Sequence, residues 1–158
     1  MRNEVSLILM MLSSLLLALL LELLPLPHAL NAWRAPWLLV TVVFWSLQLP
    51  AVAGIGTAWI AGLFLDAASA APLGTHALIF TLASALSLAL RRLLLTLSVF
   101  QQAIWMAALS VAQYGILLLL LPSAGTSGLL QTALSAALFW IALHAVLYPW
   151  VRPRLRAG

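Results

Sequence analysis

Long apolar stretches follow one another along the chain, and short segments rich in proline, glycine, serine or arginine separate them. A helix satisfies all of its own backbone hydrogen bonds in lipid, and about 20 apolar residues are enough to cross a bilayer. The pattern therefore predicts an all-α fold, a bundle of about six transmembrane helices with short loops, in one integral membrane domain over residues 1–158. The predicted helices cover about residues 5–24, 37–49, 51–68, 75–90, 98–121 and 128–148.

Prolines mark most of the predicted boundaries. Pro25 and Pro27 end the first helix, Pro50 separates the second from the third, and Pro149 and Pro153 stop the last. The second and third helices are short for a full crossing. They could cross a thinned bilayer, or they could form a tight hairpin that spans it only partly.

The composition excludes a water-soluble domain of any size. Of 158 residues, 65% are hydrophobic and only 6% are charged, whereas soluble domains carry roughly 25% charged residues. There is no cysteine, which excludes disulfides and thiolate metal sites. The net charge of +4 comes from arginines at predicted helix ends, so it indicates membrane lipid as the partner of these charges and not nucleic acid.

The arginines also predict the orientation. With the N-terminus inside, six arginines lie on the inner side and only Arg34 lies outside. Because short loops rich in arginine stay in the cytoplasm, both termini are expected to be cytoplasmic. Five of the six inner arginines form the expected cytoplasmic set that orients the chain or binds lipid: Arg91, Arg92, Arg152, Arg154 and Arg156.

One face of the third predicted helix carries small residues four positions apart. Gly54, Ala58 and Gly62 lead to Asp66 on this face, and small residues let another helix approach closely. An ionised carboxylate facing lipid is costly, so Asp66 should face protein or water. It could be a hydrated cap of the following turn, or the buried partner of a helix end, an arginine or a histidine. The expected helix-packing or partner interface comprises Gly54, Gly56, Ala58, Gly62, Asp66 and Gly74.

A few polar residues remain, and their spacing favours structural roles. The predicted outer polar cluster consists of Glu22, His28, Arg34 and His76. It lacks the spacing of metal ligands, and ordinary interfacial placement is the preferred interpretation. Gln113 is expected to donate an interhelical hydrogen bond. His144 is expected to bond a neighbouring helix, with proton relay as the less favoured role.

No phosphate-binding loop, nucleophile elbow or metalloprotease pattern is present, so no catalytic residue, metal site or cofactor is predicted. An ordered set of short motifs does stand out between Pro25 and Leu78. It runs Arg34-Ala-Pro-Trp-Leu-Leu-Val, Trp45, Leu49-Pro, Gly54-Ile-Gly-Thr-Ala-Trp-Ile-Ala-Gly-Leu-Phe-Leu-Asp66 and Leu73-Gly-Thr-His-Ala-Leu. In these motifs, their order and the chain length, the sequence resembles the MreD family of rod shape-determining membrane proteins.

The resemblance implies a non-enzymatic scaffold in the bacterial inner membrane that supports rod shape and lateral peptidoglycan synthesis. It implies MreC as the direct partner. Through the complex it implies MreB, a SEDS glycosyltransferase and a class B penicillin-binding protein. It further implies a fold similar to the substrate-binding subunits of energy-coupling-factor transporters.

Two other functions compete with this one. A vitamin-type binding subunit of an uptake transporter would also have six helices, and it would use the outer polar cluster to line a pocket. A channel or proton-coupled carrier is the weaker alternative, because only Asp66, Glu22 and His144 could serve it.

Overall fold

In a computed structural model of the chain, residues 2–25, 27, 33–120 and 128–156 are described, and they form helices and turns without any strand. The all-α class is confirmed for this part of the chain. Its seven helices are α1 Arg2–Leu23, α2 Trp37–Gln48, α3 Ile55–Ala68, α4 Thr75–Ala89, α5 Arg91–Leu94, α6 Val99–Leu120 and α7 Leu129–Arg156.

Three helices of the described part are long and apolar enough to cross a membrane. The qualifying segments are Val5–Leu23, Val99–Leu119 and Leu129–Val151. The shorter α2, α3 and α4 contain 12, 14 and 15 residues. At about 1.5 Å per residue even α4 extends only about 22 Å, less than the roughly 30 Å hydrocarbon core. The number of crossings therefore stays a prediction.

Helix α2 is the centre of the bundle. Every residue from Leu38 to Gln48 is buried, and α1, α3, α4 and α7 all pack against it. Its aromatic side chains make edge-to-face contacts with α7, as in the Trp37–Phe139 pair with ring centroids 4.6 Å apart. Because protein surrounds α2 on all sides, the backbone beyond its ends can be non-helical at membrane depth. A 12-residue helix can therefore serve as the core of a membrane bundle.

Side-chain contacts show that α1 and α2 run antiparallel to each other, and they join the end of α3 to the start of α4. The indole N–H of Trp45, near the end of α2, donates to Ser14 Oγ in the middle of α1 at 2.8 Å, and the N–H of Leu38, at the start of α2, donates to Glu22 at the end of α1. Trp105 in α6 donates to Ser87 Oγ near the end of α4 at 3.2 Å. The helices thus form antiparallel hairpins, with α3–α4 and α6–α7 in the most extensive contact.

The observed helix ends differ from the predicted ones by four or more residues in two places. Helix α3 begins at Ile55, because residues 50–54 form turns after Pro50. The prediction that the last helix stops at Pro149 is wrong, since α7 continues to Arg156. Proline removes one backbone hydrogen bond, but membrane helices tolerate this where neighbouring groups compensate. Val151, which is fully buried just beyond Pro149, gives the continued helix a packing contact.

Candidate functional site

Two acidic side chains near helix ends bind the start of the next helix along the chain. Glu22, at the end of α1, accepts a hydrogen bond at Oε2 from the N–H of Leu38 in α2 at 3.2 Å. Asp66, near the end of α3, accepts from the N–H of Gly74 at 2.8 Å and of His76 at 2.9 Å. The first amides of a helix lack intrahelical acceptors and carry partial positive charge, so each carboxylate stabilises the helix that it meets.

Asp66 contacts the imidazole of His76 as well as the start of α4. Its carboxylate is fully buried, and Oδ1 lies 2.8 Å from Nδ1 of His76. A longer contact of 3.4 Å joins Oδ2 to the N–H of Ala77. Of the two roles expected from the sequence, the buried partner of a helix end and a histidine is the one observed. Because Nδ1 is held by the carboxylate, the imidazole ring is fixed in orientation.

Arg34 complements Glu22 at the α1–α2 junction. Its Nη2 donates to the carbonyl of Leu24, immediately beyond the end of α1. A cation at a helix C-terminus and an anion at a helix N-terminus both oppose the helix dipole. Arg34 therefore stabilises the end of α1, and Glu22 stabilises the start of α2. His28, the other residue predicted here, lies outside the described residues.

These caps line one polar cavity of about 210 Å³. Glu22, Arg34 and His76 contribute from the first four helices and their connections, so the structure brings together the described members of the predicted outer polar cluster. Asp66 lies behind His76 through their hydrogen bond. The remaining lining comes from the start of α2 and from α6 and α7: Pro36, Ser110, Gln113, Tyr114, Leu117 and Thr132.

The Asp66–His76 pair and Ser110 on the same cavity superficially suggest a nucleophile. A Ser-His-Asp relay requires the serine hydroxyl to donate to the imidazole. Here Ser110 Oγ donates to the carbonyls of Met106 and Ala107, at 2.9 and 3.0 Å. The arrangement is therefore a polar cavity beside two helix caps, in which the Ser110 hydroxyl is engaged by its own helix.

The small-residue face of α3 packs inside the chain against α4. Ala58 is fully buried, and a Cβ built on Gly62 would lie 2.5 Å from the backbone N of Ala77 and 2.7 Å from the carbonyl carbon of His76. Only glycine allows this approach. Gly56 does not join the contact, because it is exposed and has no atom within 4 Å of a built Cβ.

The two remaining glycines of that set lie in turns. A Cβ on Gly54, which precedes α3, would be 3.2 Å from the carbonyl oxygen of Pro50. Gly74 precedes α4 with φ of 98°, a left-handed conformation that glycine adopts without strain. In this conformation its N–H reaches Asp66.

The inner arginines differ from one another. Arg91 Nε donates to the carbonyl of Leu47 near the end of α2 at 2.7 Å, so it binds a helix end inside the bundle. Arg92, by contrast, is exposed. Arg152, Arg154 and Arg156 lie on the last turns of α7, and their side chains fall outside the described part.

The sequence matches the family described as rod shape-determining protein MreD over residues 2–157. The chain belongs to the MreD family. Members of this family are membrane proteins of the shape-determining complex, and the three long apolar helices fit membrane insertion. The chain is therefore a component of rod-shape determination. No solved structure is significantly similar to the chain, so the resemblance to energy-coupling-factor transporter subunits stays a prediction.

Sequence reasoning missed one polar contact of this MreD-family chain on the side opposite the cavity. Gln102 in α6 donates through Nε2 to the carbonyls of Leu94 and Leu97, at 2.9 and 3.2 Å. Its Oε1 lies 3.2 Å from Nε2 of His144 in α7. The expected bond of His144 to a neighbouring helix is thus confirmed. Two polar residues inside long apolar helices were the available signal, but nothing in the sequence paired them.

Proposed function

We propose that the chain is a non-enzymatic scaffold subunit of the bacterial cell-elongation machinery that binds MreC in the inner membrane. The family match over residues 2–157 carries this proposal. The fold is consistent with a scaffold, because its polar side chains are mainly engaged in joining helix ends. Asp66, whose side chain has no solvent exposure, is fully occupied with α4 and His76.

Six crossings with both termini in the cytoplasm follow as part of the proposal. The ends of α1 and α3 and the starts of α2 and α4 meet at the polar cavity or its caps. The end of α2 meets Arg91, and Gln102 meets His144, away from that cavity. A chain that crosses the membrane repeatedly has its helix ends on two opposite sides, and this arrangement supports the proposal. Phosphatase or fluorescent-protein fusions at the C-terminus test the orientation, and an active periplasmic phosphatase there would contradict it.

The partner interface needs a surface that internal packing leaves open. Gly62 is buried in the contact between α3 and α4, whereas Gly56 is exposed on the same helix. In lipid a small exposed residue permits close approach of another helix. We therefore expect Gly56→Leu to keep the fold and reduce MreC co-purification. Gly62→Leu should instead reduce the amount of folded protein, which a matched measurement of thermal unfolding detects.

Cell shape is the functional readout. In cells depleted of this chain, expression of the wild-type sequence should restore the length-to-width ratio of rods. Gly62→Leu should leave rounded cells, because the bundle does not form. Full restoration of rod shape by Gly62→Leu, or rounded cells with the wild-type chain at its normal level, would contradict the proposal.

A further inference from the structure

The polar cavity presents hydrogen-bond acceptors. The hydroxyl of Ser110 donates to Met106 and Ala107 of its own helix, and the hydroxyl of Thr132 donates to the carbonyl of Gly128 at 2.9 Å. A hydroxyl has one hydrogen and two lone pairs. With the hydrogens of Ser110 and Thr132 engaged by backbone carbonyls, only their lone pairs are offered to a ligand.

Gln113 adds an acceptor whose bonding need is unmet. Its side chain lines the cavity and is only 8% exposed, and its Oε1 has no hydrogen-bond partner among the described residues. Glu22 contributes a carboxylate with capacity beyond its bond to Leu38, since a carboxylate can accept about four hydrogen bonds. A buried carbonyl oxygen without a donor is unfavourable, so this cavity favours a ligand rich in N–H groups.

Arg34 offers a hydrogen-bond donor for an anion at the same cavity. Its Nη2 is engaged by the carbonyl of Leu24, whereas its Nε is buried without a partner in the described part of the chain. A guanidinium N–H bonds most strongly to an anionic oxygen, such as that of a phosphate. The cavity therefore combines several acceptors for a donor group with one cationic donor for an anion.

We propose that this cavity binds a phosphoethanolamine zwitterion, with its ammonium group among Glu22, Gln113 and Thr132 and its phosphate at Arg34. A primary ammonium has three N–H donors. The volume of about 210 Å³ suits such a small group, since pockets for drug-sized ligands occupy roughly 300–1,000 Å³. The same chemistry is available from a phosphatidylethanolamine headgroup or from free phosphoethanolamine. The proposal is independent of MreC binding.

Calorimetric titration of the full-length chain in phosphate-free and amine-free detergent solution tests the proposal. The probes are short-chain phosphatidylethanolamine, phosphatidylcholine and phosphatidylglycerol, and free phosphoethanolamine. Phosphatidylcholine should bind at least about tenfold more weakly than phosphatidylethanolamine, because its quaternary ammonium has no N–H donor. Phosphatidylglycerol, which lacks the cation, should be similarly weak.

The two sources are distinguished by the free headgroup. Binding of free phosphoethanolamine as tight as that of the lipid assigns a soluble ligand, whereas much tighter binding of the lipid assigns the headgroup of a membrane lipid. Equal binding of the three lipids, or no binding of either phosphoethanolamine compound, overturns the proposal.

Gln113→Leu is the discriminating variant, with Gln101→Leu as its control. Gln101 is exposed about 18 Å away along α6. Removing an unpaired buried acceptor should leave the ligand-free protein at least as stable as the wild type, yet weaken binding of phosphatidylethanolamine by roughly tenfold to a hundredfold. Gln101→Leu should bind as the wild type does.

Unchanged binding by Gln113→Leu overturns the proposal. If that variant unfolds, Thr132→Val decides instead, because it keeps the side-chain shape and should also weaken binding.

Discussion

Replacing Gly62 with alanine tests the close approach of α3 to α4. The added Cβ would lie 2.5 Å from the backbone N of Ala77. Ordinary van der Waals contacts begin near 3.4 Å, so α3 and α4 must separate by about 1 Å. Overpacking of this kind costs about 1–3 kcal/mol. The same separation would stretch the hydrogen bonds of Asp66 to Gly74 and His76, which are now 2.8 and 2.9 Å.

Gly56→Ala is the matched control on the same helix. Alanine is favoured over glycine in a helix by up to about 1 kcal/mol, and nothing lies within 4 Å of a Cβ at position 56. We therefore expect Gly56→Ala to be neutral or slightly stabilising and Gly62→Ala to be destabilising by about 1 kcal/mol after its own helix-propensity gain. Equilibrium unfolding in detergent, followed by the fluorescence of buried tryptophans such as Trp45, measures both. Equal stability of the two variants would refute the close α3–α4 contact.

Three further substitutions test the polar contacts by the same unfolding measurement. Asp66→Asn should cost about 2 kcal/mol, because a neutral amide replaces a charged cap; a wild-type unfolding curve would show that the charge is not needed. Arg91→Ala should lower the free energy of unfolding by about 1–2 kcal/mol, because the Leu47 carbonyl loses its donor. Arg92 is exposed, so Arg92→Ala should change stability by less than about 0.5 kcal/mol. Similar losses in both variants would count against the Arg91–Leu47 bond. Gln102→Leu should lower the free energy of unfolding by about 2–3 kcal/mol, because two backbone carbonyls and His144 lose their hydrogen-bond partner. A loss below about 0.5 kcal/mol would contradict these bonds.

The sequence was most informative where lipid restricts the choices. Backbone groups in hydrocarbon must bond within the segment, so apolar stretches predict helices directly. The four-residue spacing of Gly54, Ala58, Gly62 and Asp66 predicts a shared face, because residues i and i+4 adjoin on a helix. The structure places Gly62 and Asp66 against α4, and Ala58 on the same face is fully buried.

Contacts between distant segments were beyond sequence reasoning. Hydropathy does not distinguish an apolar residue facing lipid from one facing protein, so the central position of α2 had no signature. The bond from Glu22 to Leu38 depends on how the connection folds back. Packing of Val151 overrode the local rule that Pro149 should end the last helix. Each failure has the same cause, since tertiary packing decided what local preference left open.

The central claim is that this MreD-family chain binds MreC as a membrane scaffold. Affinity purification of the tagged full-length chain from bacterial membranes, followed by quantitative mass spectrometry, tests it most directly. We predict that MreC is enriched in a fixed ratio to the chain, far above an unrelated membrane protein of similar size carrying the same tag. Folded chain recovered with no more MreC than that control would contradict the claim.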